Sequence, residues 1–402
     1  MTIHYDFPCI QWWHTVAKHF QDNDNFVIAD KGDYFVVNYV RAGKETHPIV
    51  QQGELGEYAR AAVLREARGL IFCSKTGELL SRPFHKFFNL GEREDVMEVD
   101  LTKPHVIMNK LDGSMVRPFR VGDTVRWGTK MGVTDLTAQV EEFVAKNQQY
   151  QKFAEAAVGT AMMPSDYPFT PLFEWCSRKQ RIVIDYPEDR LVLLALRDNF
   201  TGMYLPREGV EAIGKLWDIP VVDVLDMTDP VPSQEELVDM IRGMQDAEGV
   251  VIQFDDGHMV KIKADTYVAL HRVKSLLENE RDVVGLILDE KIDDLLPLLP
   301  HGDRSRLLIF ETDVWKDMLT FQTNVNIVLR RIEGISRKEF ALASGDMDPL
   351  MRSAVFKFFE DGACSMDYIV DVVRKNLGSR ASYAKLKGIL KTASWKEIKI
   401  DD

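Results

Sequence analysis

The sequence predicts an α+β fold in two parts, an antiparallel-sheet domain over residues 1–280 and an all-α domain over residues 281–402. Three observations predict it. A chain of 402 residues exceeds one ordinary domain. Up to about residue 275, short runs rich in Val, Ile and aromatic residues alternate with Gly, Asp and Pro turn signals. Beyond about residue 280 these runs give way to apolar residues at helical spacing, joined by short polar connections.

In chain order, the aromatic-rich segment from Ile10 to Phe20 reads as a short helix and Tyr34 to Val40 as a strand. Glu66-Ala67-Arg68-Gly69-Leu70-Ile71-Phe72 carries an arginine and a glycine into an apolar strand. Arg82-Pro83-Phe84-His85-Lys86-Phe87-Phe88-Asn89 sets one lysine among aromatics. Strands follow around 104–110, 115–120 and 124–130, then helical periodicity over 133–157. A second β-rich block contains Pro171 to Trp175, Arg181 to Ile184 and Leu191 to Leu196 as strands. Helices over 206–217 and 234–245 lead to a hairpin, Glu248 to Phe254 and Met259 to Lys263, joined by Asp255-Asp256-Gly257. Asp265 is placed to cap a helix from Tyr267 to Leu277. The last third reads as helices Val314 to Ile332, Met351 to Phe359, Tyr368 to Asn376 and Tyr383 to Leu390.

Composition is that of an ordinary globular chain, 45% hydrophobic and 28% charged. No apolar run approaches the 18 or so residues of a membrane helix, and Met1 to Asp6 lack a basic region leading into an apolar core. The expectation is a cytoplasmic protein without a membrane partner. Cys9, Cys73, Cys176 and Cys364 are scattered with no C-x-x-C pair, against a structural zinc site or a disulfide framework. The net charge of −13 is unevenly spread, since residues 301–402 hold 17 Lys+Arg against 15 Asp+Glu. A polyanionic partner would therefore be held by local clusters.

The stretch with the strongest chemical signal is Met108-Asn109-Lys110-Leu111-Asp112-Gly113-Ser114, flanked by apolar His105-Val106-Ile107 and Met115-Val116. Taken alone, its Asp-Gly could be a hairpin turn. As chemistry, Lys110 is a candidate nucleophile, and a lysine near its ordinary pKa of roughly 10.4 must be made neutral before it can attack. Cationic neighbours would favour the neutral form. Lys261 and Lys263, two apart on a strand, project from one face while Val260 and Ile262 take the other. The plainer reading of such alternation is an edge strand protected from aggregation.

Glu174 lies between Phe173 and Trp175 and so faces away from both, and Glu248 stands at the start of a strand. Two carboxylates facing the lysines would suit Mg²⁺ or ribose hydroxyls. Arg68, Lys86 and Lys130 are candidate polyphosphate contacts. Arg68 leads them, because a guanidinium grips phosphate bidentately and Gly69 permits close backbone approach.

In order, Lys110-x-Asp112-Gly113, Phe173-Glu174-Trp175, Glu248-Gly249-Val250-Val251 and Lys261-Ile262-Lys263 resemble motifs I, III, IV and V of the covalent nucleotidyltransferases. The strings EARGLIF, SRPFHKFFNL, FEW…QRIVI and KIKADTYVALH resemble the bacteriophage T4 RNA ligase 1 family over residues 30–275. The helical tail offers no matching motif. The resemblance implies an antiparallel-sheet nucleotidyltransferase domain of the ATP-grasp-like ligase type, with ATP and Mg²⁺ (or Mn²⁺) as substrate and cofactor. It implies Lys110 as the adenylated residue, Glu174 near the ribose, Glu248 and Asp112 at the metal, and Lys261 and Lys263 at the α-phosphate. Arg68, Lys86 and Lys130 would serve the polyphosphate, with Tyr267 and Tyr39 as accessory positions. Leu111 and Gln180 depart from the family's acidic residue and asparagine.

The partner implied is single-stranded or nicked-loop RNA, including tRNA broken in its anticodon loop, after a polynucleotide kinase/phosphatase has prepared the ends. Rival readings are a DNA ligase, a capping-type guanylyltransferase, or an RNA-binding protein on a decayed ligase fold. The first two usually continue into a β-barrel after the lysine-bearing strand, where this chain turns helical. The third would be expected to lack one of the charged residues, yet all are present. The basic cluster Arg374, Lys375, Arg380, Lys385, Lys387, Lys391 and Lys396 is spaced so that several members share a helical face, as a platform for structured RNA or as a solvated surface.

Overall fold

The structure, a computed structural model, describes residues 7–49, 55–159, 168–179, 182–227, 231–299 and 301–395. Met1 to Asp6, Gln180, Arg181 and Lys396, all named above, lie outside the described residues. The chain divides into two compact units, Met1–Val268 and Ala269–Asp402.

The first unit is built on three four-stranded sheets. One is the meander β1 (Phe26–Asp30), β2 (Tyr34–Tyr39), β3 (Arg68–Cys73) and β4 (Leu79–Ser81). Further strands are β5 (Phe88–Asn89), β6 (His105–Asn109), β7 (Ser114–Val121), β8 (Thr124–Gly128), β9 (Phe169–Cys176), β10 (Arg190–Asp198), β11 (Gly249–Phe254) and β12 (Met259–Lys263). They form sheets in the orders β10-β9-β7-β8 and β5-β12-β11-β6. All pairings are antiparallel except the two-residue contact of β5 with β12.

Helices α1 (Trp13–Val16), α2 (Leu55–Glu66), α3 (Asp135–Lys146), α4 (Gln148–Ala157), α5 (Arg207–Trp217) and α6 (Gln234–Arg242) complete the unit. At the start of α3 the Thr134 N–H donates to Thr137 Oγ1 at 2.9 Å, and the helix buries Val140 and Val144 one turn apart. Ser233 and Glu236 form a reciprocal cap for α6, which buries Leu237 and Ile241. The core of the second sheet gathers Trp127, Phe153, Phe173 and Trp175 beneath α3 to α5, and that of the third gathers Ile107, Val250, Ile252 and Val260 with Leu237 and Ile241. Glu66 ties the first sheet to the second, pairing with the buried guanidinium groups of Arg82 at 2.9 Å and Arg197 at 2.8 Å.

Three expectations for this unit change. The helix over Ile10 to Phe20 shrinks to α1 and a 3₁₀ turn, because Trp13 and Leu79 spend their backbone N–H groups on Gly77 and Gln11 carbonyls across the first sheet's edge. The periodic stretch 133–157 is two helices broken at Asn147. Ile182 to Ile184 form no strand; two of their N–H groups are taken by a side chain described below.

Helix α7 (Asp265–Leu277) spans the division, with Asp265 in its first turn, where a negative charge suits the helix dipole. The second unit continues with α8 (Glu280–Leu288), α9 (Ile292–Leu295), α10 (His301–Arg331), α11 (Arg337–Ala343), α12 (Pro349–Lys357), α13 (Met366–Lys375) and α14 (Arg380–Ala384). Phe310, Val314, Met318, Phe321 and Val325 recur every three or four residues along α10 and centre the core. The expected helix from Tyr383 to Leu390 is instead the end of α14 followed by a 3₁₀ turn, Lys385–Gly388. Arg380, Lys385, Lys387 and Lys391 therefore share no continuous helical face, and Arg374 is paired with Asp289 at 2.5 Å.

Candidate active site

Lys110 follows directly on β6, and its backbone N–H donates to the Gly249 carbonyl at 2.8 Å. Because β6 belongs to the third sheet and β7 to the second, the Lys110-Leu111-Asp112-Gly113 turn is a crossover between sheets. That excludes the plain hairpin reading. Gly249 adopts φ +136°, and a β-carbon there would collide with the Ile262 carbonyl oxygen, so only glycine lets β11 open so close to β12. The adjoining Glu248 is buried at 4% exposure and sits between two ammonium groups, Lys110 at 2.8 Å and Lys263 at 2.8 Å. β12 lies between β5 and β11 with Val260 and Ile262 buried, so its lysines do not belong to an edge strand.

A cavity opens above these residues. Met108, Met115, Leu194, Val222 and Val251 form its apolar wall, and Arg68, Lys86, Lys110, Glu174, Lys261 and Lys263 its charged lining. The Phe87 ring lies under both Arg68 and Lys261, each 5.7 Å from its centroid. Lys86 and Lys130 flank the Tyr39 ring at 5.9 Å and 5.8 Å. Burial, then the charges of Lys86, Arg68, Lys110 and Lys263, push Lys261 down to about 7. Burial and Arg68 likewise bring Lys86 to about 8. Burial raises Glu174 to about 8 against the pull of Lys110, with Glu248 adding to the rise. The lysines driven toward neutrality are thus Lys261 and, to a lesser degree, Lys86, while Lys110 carries an ion pair.

Asp112 is a hub. Its Oδ1 accepts from Tyr267 Oη at 2.7 Å, and its Oδ2 accepts from the N–H groups of Val183 and Ile184 at 2.7 Å each. In return, the Asp112 N–H donates to Tyr186 Oη at 2.9 Å. Tyr267 also lies beneath the Lys263 ammonium, 4.9 Å from the ring centroid. Both oxygens of Asp112 are therefore engaged within the protein, which leaves Glu248, ion-paired to Lys110 and Lys263, and Glu174, lining the cavity, as the carboxylates on the side of the lysines. Among the described residues no cluster of three or more His, Cys, Asp or Glu side chains could hold a metal. So small a set of carboxylates fits Mg²⁺ or Mn²⁺ only where the nucleotide's phosphates supply most of the oxygen ligands.

The geometry brings together Arg68, Lys86, Lys110, Glu174, Glu248, Lys261 and Lys263, with Lys130 and Tyr39 alongside and Asp112 and Tyr267 behind the turn. Phe87 and Tyr186 were not singled out from sequence. Phe87 adjoins Lys86 in an aromatic run and could have been; Tyr186 carries no local signal.

A sheet-borne lysine at a crossover turn, facing a second sheet strand with paired lysines, is the arrangement of a covalent nucleotidyltransferase. Within that class the chain belongs to the RNA ligase family of the T4 RNA ligase 1 type, which its residues 66–267 match. It is 32% identical over 270 residues to a Thermovibrio ammonificans protein provisionally named RNA ligase, covering 64% of this chain and 67% of that one. It is 26% identical over 331 residues to RNA ligase 1 of bacteriophage TS2126, covering 78% and 80%. An archaeal ATP-dependent RNA ligase structure overlaps 66% of this chain and 64% of its own, with a TM-score of 0.44 and 16% identity. No described helix is long and apolar enough to cross a membrane.

Proposed function

We propose that this RNA ligase joins a 3′-hydroxyl to a 5′-phosphate with ATP, through an adenylate carried on Lys110. The observation that carries the assignment of Lys110 is its shared carboxylate with Lys263, at the floor of a cavity whose other cations are Arg68, Lys86 and Lys261. Lys110, its ammonium proton first given up to solvent, attacks the α-phosphorus through the neutral Nζ; the bond to the bridging oxygen breaks, pyrophosphate leaves, and the second nitrogen-bound proton is released to solvent as the P–N bond forms. AMP then passes from Lys110 to the RNA 5′-phosphate oxygen. Finally the RNA 3′-oxygen attacks the activated phosphorus, and AMP departs as the phosphodiester forms.

In this reading Glu248 receives the Lys110 ammonium before attack, and Lys261 and Lys263 meet the charge that grows on the α-phosphate. Arg68, Lys86 and Lys130 hold the outer phosphates, with Tyr39 spacing the two lysines. Glu174, protonated at neutral pH, donates to the ribose. Asp112 and Tyr267 fix the turn that presents Lys110. Mg²⁺ or Mn²⁺ would be held with the help of Glu248 and would supply further charge neutralisation.

The helical second unit is proposed to select structured RNA, including a tRNA broken in its anticodon loop, by phosphates and shape. Breaks left with a 2′,3′-cyclic phosphate and a 5′-hydroxyl cannot be sealed by this chemistry, so a kinase/phosphatase acts first on such ends. Incubation with α-labelled ATP or, separately, GTP, followed by denaturing electrophoresis, tests the reading. Label from ATP that stays with the chain is the expected result; label from GTP alone would make it a guanylyltransferase.

A further inference from the structure

Arg117 lies on β7 with none of its surface exposed, and unlike Arg82 and Arg197 it has no carboxylate partner among the described residues. Its Nε donates to Ser81 Oγ on β4 at 2.8 Å, and its Nη2 donates to the Gly69 carbonyl at the start of β3. Its Nη1 has no hydrogen-bond partner. Burial and the neighbouring Arg68 bring its pKa down to about 9. A buried guanidinium with no anion is a costly thing to keep, and a structural filler of the same length would be apolar.

What it holds gives the reason. Gly69, at φ +103°, lies so close to Lys130 that a β-carbon would stand 2.7 Å from the Lys130 α-carbon and 2.8 Å from its carbonyl oxygen. The backbone at Arg68-Gly69, in the first sheet, is thus stacked on the backbone at Lys130, which follows the last strand of the second. Arg117 pairs on β7 with Gly128, two residues before Lys130, while its guanidinium grips the Gly69 carbonyl beside Arg68, so one residue ties the backbone that carries both cations across the two sheets.

We propose that Arg117 is a positioning residue for the polyphosphate clamp: it fixes Arg68 and Lys130 relative to each other, and its unneutralised charge adds to the field that receives the nucleotide's outer phosphates. The proposal rests on the nucleotidyl-transfer reading above. It is confined to the step in which a polyphosphate is bound, because the joining of RNA that already carries AMP on its 5′-phosphate involves no pyrophosphate.

Arg117→Met keeps the length and loses both fork and charge; Arg117→Lys keeps the charge and loses the fork. Each full-length variant is compared with the parent for the ATP concentration giving half-maximal adenylation, for the pyrophosphate concentration that half-reverses it, and for ATP-independent sealing of pre-adenylated RNA. Both half-saturation values should rise about tenfold or more in Arg117→Met and by a smaller factor in Arg117→Lys, while sealing of pre-adenylated RNA stays within about twofold. Sealing that falls in step with adenylation would make Arg117 a general structural element and overturn the proposal. So would unchanged half-saturation in either folded variant. Should Arg117→Met not fold, Arg117→Lys decides by the same criteria, and should neither fold, Arg117 is a structural element and the proposal fails. A parent chain that neither adenylates nor seals would instead overturn the underlying reading.

Discussion

Lys110 and Lys263 share one carboxylate, each ammonium lying 2.8 Å from an oxygen of Glu248. Removing it leaves two like charges facing each other in a half-buried site. Glu248→Ala is expected to lower adenylation at least about a hundredfold, and Lys261→Ala by a similar factor, since each removes charge stabilisation worth a few kcal/mol. Circular dichroism should show both variants folded. Near-parent rates in single-turnover labelling would return these residues to an ordinary hairpin.

Glu174 gives a pH signature. Its folded pKa, raised to about 8 by burial, exceeds the ordinary value of 4.5, so the folded chain binds the extra proton between those limits and stability falls as pH rises through that window. Glu174→Gln lacks the penalty. Its Tm relative to the parent should therefore climb steadily from pH 5 to pH 6, a range in which Lys261, lowered to about 7 by burial, stays mostly charged in both states. A Tm difference that does not change with pH would place Glu174 in solvent-like surroundings.

The hub at Asp112 predicts coupled loss of stability and activity. Tyr267→Phe removes a hydrogen bond to a carboxylate, and Asp112→Asn weakens that bond and the two bonds to the Val183 and Ile184 N–H groups. Each should cost about 1–3 kcal/mol in urea unfolding, with Asp112→Asn the larger, and should slow adenylation. Combined, the two should cost less than their sum, because they share one bond. Full additivity would contradict the hub.

The second unit is expected to act on RNA choice and not on chemistry. A chain ending near residue 280, if folded by circular dichroism, should still label itself with ATP and seal simple single-stranded RNA. It should lose any preference for a nicked tRNA loop over an unstructured oligonucleotide. A preference that persists unchanged at several salt concentrations would assign the helices another role.

Much of the site could be read along the chain because its residues sit in short local patterns. Lys261 and Lys263 alternate with Val260 and Ile262, and Glu174 alternates with Phe173 and Trp175, so strand periodicity alone turns each away from its own strand's apolar face. Partnerships across distance could not be read. Ile182-Val183-Ile184 has the composition of a strand, yet Asp112, 71 residues earlier than Val183, takes its N–H groups and holds it as a loop. Arg117 looks like an ordinary polar position of β7 until the first sheet is seen against it. The division of β6 and β7 between two sheets is likewise set by β11 and β9, far along the chain. In the second unit, the spacing of Arg380, Lys385 and Lys387 suggested one face of a helix that in fact ends at Ala384.

The most direct test of the central claim is label transfer from α-labelled ATP to Lys110→Ala beside the parent chain. The parent should form a single labelled species whose bond is acid-labile and base-stable, as a lysine phosphoramidate is and an acyl phosphate is not, and Lys110→Ala should carry no label. Undiminished labelling of Lys110→Ala would place the nucleophile elsewhere and contradict the account.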